Sequence, residues 1–268
     1  MYPSLHFTLQ GDGSPIVLIH GLTASLHDWD YLAPEIVSHG NQAIACDLIG
    51  HGGSPWFPSL GPMHIDTVYR VFQDWISNLN LSRPISFIGH SLGGYLAIQY
   101  AQEHPEKTQS LVLISPYYSR EQLYPVNRWF YEHPALGEIA LRLVPMQWLV
   151  FLMKLDKASA TIPGEAKQQT AADAKRAAPA TMRLPMTMKN LEADLPKLDL
   201  PVFVLWGEDD LLLKPVMYQK MVSLLPSGEG QIVSGCGHQP HLEKIEIVNR
   251  LVLDFLHKGN NDRTSSLP

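Results

Sequence analysis

Cysteine is nearly absent from this 268-residue chain. Cys46 sits in an apolar, strand-like run and Cys236 in a glycine loop, far apart in sequence. That excludes a disulfide framework and a cysteine-ligated zinc module, and it points to a reducing compartment. Charge is sparse too: 17% of residues are Asp, Glu, Lys or Arg, the net charge is −6, and no run of Lys or Arg occurs. Nucleic acid binding needs a basic stripe, so no nucleic-acid partner is expected. Long hydrophobic runs are also missing. The longest candidate, Met146 to Met153, falls far short of the roughly 20 apolar residues of a membrane span. The first residues, Met1 to His6, have neither the charged start nor the apolar core of a secretion signal, and the expected location is cytoplasmic. What is present, 45% hydrophobic residues over this length, suits one large α/β domain with or without an inserted subdomain.

Short apolar runs alternate with helical patterns along the first third. Ile16 to His20, Gln42 to Cys46, Ile85 to Ile88 and Leu111 to Ile114 read as strands. Between them, Ile65, Val68, Phe72, Trp75, Ile76 and Leu79 recur at helical spacing. Strands alternating with helices predict a mostly parallel sheet covered on both faces. The rhythm breaks after Ser115-Pro116. From Tyr117 to about Leu195 no strong strand appears, only helical pieces punctuated by prolines. Alternation returns at Val202 to Trp206, Gln231 to Val233 and a last helix around Ile245 to His257. The expected organisation is therefore a core of residues 1–116 and 196–258, an all-helical insertion at 117–195, and a disordered tail at 259–268. The Ala-, Lys- and Gln-rich stretch Glu165 to Ala178 reads as an exposed helix.

One turn carries chemistry. Gly89-His90-Ser91-Leu92-Gly93-Gly94 has the Gly-x-Ser-x-Gly pattern, with a strand before it and a helix-compatible stretch from Tyr95 to Glu103 after it. Such a turn holds its serine in a strained conformation clear of the sheet, and the glycines two residues away leave space for the tight packing. A serine hydroxyl needs a base, and the base needs a partner that fixes its tautomer. These should follow on loops after later strands. Val202 to Trp206 opens into Gly207-Glu208-Asp209-Asp210, and Gln231 to Val233 opens into a loop ending at His238. That selects Ser91, an acid among Glu208, Asp209 and Asp210, and His238. For an oxyanion, the N–H of Leu92 is one donor and that of Leu22, in the His20-Gly21-Leu22-Thr23 turn, is the candidate second. His238 and His241 have a loosely metal-like spacing, but no acidic or cysteine set completes it in sequence. No metal and no cofactor are expected.

Taken together, His20-Gly21, Asp47 to Ser54, Gly89 to Gly94, Gly207 to Asp210, and Gly237-His238 with Glu243 beyond resemble the α/β-hydrolase superfamily over residues 5 to 257. The resemblance implies that the acid stands three residues after the loop glycine, which selects Asp210. It implies that Asp47 to Ser54 is a structural loop and that the helical insertion is a cap over the site. Its relatives that resemble haloalkane dehalogenases and epoxide hydrolases carry aspartate where this chain has Ser91. Carbon–carbon bond hydrolases often show Asn before the serine and Trp after the histidine, where this chain has His90 and Gln239. The function expected is hydrolysis of small to medium carboxylic esters, with a small-molecule substrate. The alternatives are a C–C bond hydrolase and a non-catalytic ligand-binding relative. Cap aromatics such as Trp129 and Trp148 are expected to shape an apolar substrate pocket.

Overall fold

Two hydrophobic cores lie on opposite faces of one sheet, because consecutive strand residues point in opposite directions. Val17, Ile19, Phe87, Leu111 and Leu113 belong to one core, while Ile16, Leu18, Ile88, Val112 and Ile114 belong to the other. The computed structural model describes residues 3–155 and 157–264. The strands are β1 (Phe7–Gln10), β2 (Ser14–Ile19), β3 (Asn41–Cys46), β4 (Ile85–His90), β5 (Thr108–Ile114), β6 (Val202–Gly207) and β7 (Gly228–Val233). They form a seven-stranded sheet in the order β1-β3-β2-β4-β5-β6-β7. Only β1 runs antiparallel to its neighbour. The order reverses between β2 and β4, so the crevice beyond their carboxyl ends lies at the switch point where open α/β sheets bind ligands.

The helices follow in chain order as α1 (Ala33–Ser38), α2 (Ile65–Asn78), α3 (Leu92–Glu103), α4 (Pro125–Glu132), α5 (Pro134–Leu143) and α6 (Met146–Leu155). Then come α7 (Gly164–Arg176), α8 (Leu184–Thr187), α9 (Val216–Leu224), α10 (Pro240–Glu243) and α11 (Ile245–Thr264). Helix α2 buries Ile65, Val68, Phe72, Trp75 and Ile76 against one face of the sheet, as their spacing predicts. On the other face, α1 contributes Ile36 and α11 contributes Val248, Val252 and Phe255.

Among the described residues between β5 and β6 there are helices and no strand of the sheet. The two ends of this segment, however, pack into the main core through Tyr117, Tyr118 and Leu123 and through Leu184, Leu191 and Leu195. Helix α7 is not the exposed helix expected. It buries Ala166, Lys167, Ala171 and Asp173. Asp173 accepts hydrogen bonds from Ser25 Oγ at 2.8 Å and Gln169 Nε2 at 2.9 Å, and Lys167 Nζ donates to the Ala160 carbonyl at 2.8 Å. Paired polar groups can be buried, which a reading of polarity alone misses. The tail expected to be disordered from Gly259 continues α11 to Thr264, since extending an anchored helix costs far less than starting one. The end of that tail, residues 265–268, lies outside the described residues.

Among the described residues no single helix is long and apolar enough to cross a membrane. Helices α5 and α6 are apolar in succession, but meet at a bend of 107°.

Candidate active site

Ser91 caps the start of α3 with φ 50° and ψ −108°, the left-handed conformation that a side chain adopts at a cost of about 1–3 kcal/mol. Its surroundings over-determine it. The Ser91 N–H donates to the Ile114 carbonyl at 3.0 Å, and its carbonyl accepts from Tyr117 at 3.1 Å and Tyr95 at 3.2 Å. A Cβ on Gly89 would come within 2.5 Å of the Gly93 carbonyl oxygen, and one on Gly93 within 2.0 Å of the Ile19 oxygen. No larger residue fits either place, so the two glycines let the elbow close against β2.

The expected acid and base meet. His238 Nδ1 donates to Asp210 Oδ2 at 2.8 Å. Asp210 Oδ1 accepts from the N–H groups of Leu212 at 2.8 Å and Leu213 at 2.9 Å, which locks the carboxylate in place. With its Nδ1 proton so engaged, His238 keeps a lone pair on Nε2. Asp210 is 1% exposed, whereas Glu208 and Asp209 face solvent, so of the three acids only Asp210 is placed for this contact. The backbone ahead of His238 is held by Glu243, whose carboxylate accepts from the Gly237 N–H.

Among the described residues no hydrogen bond joins the Ser91 hydroxyl to the imidazole of His238. The two loops are joined one residue earlier, where His90 Nε2 donates to the His238 carbonyl at 2.9 Å. Hydrogen bonds between nucleophile and base often tighten only when substrate is bound.

The loop carrying Leu22 lies against the elbow. A Cβ on Gly21 would stand 2.7 Å from His90 Nδ1 and 3.5 Å from the Ser91 Cβ, so glycine permits the approach. His20 Nε2 accepts from the Leu48 N–H at 3.0 Å, which leaves Nδ1 as the protonated nitrogen donating to the Gly21 carbonyl at 2.7 Å. Asp47 ties the same loop from its far end. It accepts from the N–H of Leu26 at 2.8 Å, the N–H of Gly53 at 2.7 Å and His6 Nδ1 at 2.8 Å. The Asp47 to Ser54 segment therefore braces this loop, as its structural reading implies. The N–H of Leu92, at the first position of α3, has no intrahelical acceptor.

A second acid–histidine group lies behind the elbow and was not legible as such. Asp28 Oδ2 stands 3.7 Å from both His90 Nδ1 and His241 Nε2, and all three residues are buried. The three ligand atoms lie within 4.8 Å of one another, the set in this region able to approach a metal ion. His241 thus turns toward Asp28 and not toward a site shared with His238; its ring stacks on Trp29 with centroids 5.0 Å apart. Burial pushes the Asp28 carboxyl up, but the imidazoles of His241 and His90 outweigh it and hold the group well below the usual carboxylate range. Burial lowers His90 to about 4, partly offset by Asp28. His90 spends its Nε2 proton on the His238 carbonyl, and among the described residues Asp28 Oδ2 has no hydrogen-bond partner, so its contacts with the two imidazoles are electrostatic.

A carboxyl held low stabilises the fold above its unfolded value and loses that contribution as pH falls toward its folded value. Asp28→Asn is therefore expected to lower Tm at neutral pH. The deficit should shrink as pH falls through the unfolded carboxylate value near ~3.9. Thermal melts of both proteins across this range check it; a deficit constant with pH would assign the effect to packing alone.

A cavity of about 280 Å³ opens on His238, lined also by Ser159, Asp209, Leu211, Leu212, Gln239 and Glu243. Ser91, 9% exposed, does not line it. The tryptophans of the helical segment are not where apolarity placed them. Trp129 is 49% exposed and Trp148 59% exposed, and neither borders this cavity. Two tyrosines of the segment lie close to the elbow and the acid: Tyr117, whose backbone N–H bonds to the Ser91 carbonyl, and Tyr131, whose hydroxyl is pushed up to about 12 by burial and by the charge of Asp210. Cys46 and Cys236 are free and buried, and burial pushes the Cys236 thiol up to about 12, so neither is a ready nucleophile.

The family model described as "Serine aminopeptidase, S33" matches residues 14–245. The chain belongs to this family of α/β-hydrolases. Bifunctional epoxide hydrolase 2 of Sus scrofa is 22% identical over 294 residues, covering 94% of this chain but 53% of that protein, so the chain spans about half its length. The 2-hydroxy-6-oxononadienedioate/2-hydroxy-6-oxononatrienedioate hydrolase of Comamonas testosteroni is 24% identical, covering 95% of this chain and 92% of that one. Among solved structures, a thermophilic esterase from Thermogutta terrifontis superposes with a TM-score of 0.81 at 22% identity, covering 95% of this chain and 93% of that one. The family and the seven-stranded sheet bear out the α/β-hydrolase fold read from the motifs.

Proposed function

We propose that this α/β-hydrolase is a serine hydrolase that cleaves small to medium carboxylic esters, with Ser91 as nucleophile, His238 as base and Asp210 as its partner. The observation that carries the reading is the 2.8 Å Asp210–His238 hydrogen bond beside a serine held at φ 50°. His238 Nε2 takes the Ser91 proton as Oγ attacks the ester carbonyl. The N–H groups of Leu22 and Leu92 hold the oxygen as it gains charge. Collapse expels the alcohol, which takes the proton back from His238. Water, deprotonated by the same imidazole, then attacks the acyl-enzyme and releases the acid. No step draws on a metal or a cofactor.

The similarity to the Comamonas hydrolase keeps C–C bond cleavage as a second reading on the same three residues. His90 and Gln239, at the positions flanking the serine and the histidine, weigh toward the ester. A non-catalytic ligand-binding role is a poorer fit to a paired base and acid.

The helical segment between β5 and β6 acts as a cap in this reading, and Tyr131, which feels the charge of Asp210, is its side chain expected to touch the substrate. A panel of p-nitrophenyl esters of graded acyl length tests both points. Turnover of short or medium esters is expected. Tyr131→Ala should shift kcat/KM between short and long chains by about tenfold or more, since one methylene in an apolar pocket is worth roughly 1–3 kcal/mol. Trp148→Ala should leave that ratio unchanged. A folded sample that hydrolyses no ester of the panel, but does cleave a vinylogous diketone, would hand the site to the second reading.

A further inference from the structure

Three successive helices, α4, α5 and α6, have the sequences of core helices but leave most of their large apolar side chains exposed, Tyr131 and Met153 being partly buried. Gly137 is the one buried residue among their described residues. Trp129, Ile139, Leu143, Trp148, Leu152 and Leu155 are each between 49% and 74% exposed. Ile139 and Leu143 are four residues apart on α5. Trp148, Leu152 and Leu155 are spaced by four and three on α6, so each set forms a stripe along one face. Together with their neighbours these side chains expose on the order of 1,000 Å² of apolar surface, beyond the few hundred Å² common on monomeric proteins.

The charge of this segment says what covers it. From Ile139 to Lys157 the charged residues are Arg142, Lys154, Asp156 and Lys157, so this stretch is net positive in a protein of net charge −6. Arg142 is exposed and has no ion pair among the described residues, and Lys157 beyond is likewise exposed. Glu138, at the edge of the stretch, is taken by Arg183 at 2.5 Å. Apolar and tryptophan side chains beside unpaired cations are the composition of an element that lies in a bilayer interface. The 107° bend between α5 and α6 breaks the apolar length in two, which suits lying in the surface and not crossing it. A second copy is a poorer occupant, since a two-fold pairing of this face would set its unpaired cations against their own copies.

We propose that α4–α6 form a docking surface for an anionic phospholipid bilayer. The face adjoins the proposed site: Asn127 on α4 donates to the carbonyls of Leu211 at 2.6 Å and Leu212 at 3.2 Å, the residues that follow Asp210. The docking itself is independent of the catalytic roles, and its test reads binding, not turnover.

The full chain is floated in a density gradient with vesicles of phosphatidylcholine alone, and with vesicles containing phosphatidylglycerol. It is expected to rise with the anionic vesicles and less with the neutral ones. Leu143→Glu, Trp148→Glu and Leu152→Glu combined should lower the partition at least tenfold at unchanged Tm, because all three side chains are exposed. Arg142→Gln should lower binding to the anionic vesicles about fivefold and leave the neutral ones unaffected. Wild-type protein that stays with the unbound fraction in both vesicle types overturns the proposal, whatever the variants do. So does a wild-type dimer in light scattering that the triple variant renders monomeric without vesicle binding by either, which assigns the face to a second copy.

Discussion

Ser91→Ala is expected to reduce kcat by on the order of 10⁶, the loss known when a serine nucleophile is removed, leaving roughly 10³–10⁴ over water from oxyanion contacts and binding. The fold should persist, because the strain at φ 50° is set by the backbone contacts of residue 91 and alanine bears it as serine does. Ser91→Gly should be inactive too but at least as stable, since glycine takes a positive φ without the penalty. A fluorophosphonate probe should label the wild type at Ser91 and neither variant. Labelling of another serine, or ester turnover that survives in a folded Ser91→Ala protein, would remove Ser91 from the reaction.

The second large effect concerns the acid. Asp210→Asn should lower kcat by roughly 10⁴, because an amide can present its NH₂ to Nδ1 and favour the wrong imidazole tautomer. Asp209→Asn should cost little. Asp209 is exposed and reaches the histidine loop only through its backbone, whose N–H donates to the Cys236 carbonyl at 2.7 Å. Steady-state kinetics on both purified variants decides it, with circular dichroism to show that each is folded. Equal losses would mean that the loop, and not one carboxylate, orients His238.

Local features were legible in the sequence and long-range ones were not. The elbow was, because strand, turn and helix are contiguous and each demand falls on a residue within three positions of Ser91. The parallel strands were legible because both faces are buried and their runs are continuously apolar. Strand β1 was not: it has four residues at an edge, mostly exposed, and no run to recognise. The residues alone did not separate Asp209 from Asp210, since both are acids in one turn; only burial distinguishes them. Trp129 and Trp148 misled because apolarity reports a tendency to leave water and not which partner receives the side chain. Asp28 went unread for a different reason: its partners His90 and His241 come from distant parts of the chain.

The proposed nucleophile and base come from opposite ends of the fold, and this decides when the protein becomes reactive. Ser91 follows the central strand β4 in the first half of the chain, while His238 follows β7, the last strand and a sheet edge. The bond that joins their loops spans 148 positions. In those proposed roles, a chain still emerging from the ribosome carries its serine with no base beside it, and turnover is expected only once β7 docks on β6. The same order runs in reverse under stress. Edge elements open at lower free energy than the centre of a sheet. Release of β7, whose Glu229 to Gln231 face solvent, takes away the base while β2 to β6 remain paired. Activity is then expected to be lost before the core, so that ester turnover would report on the β7 edge.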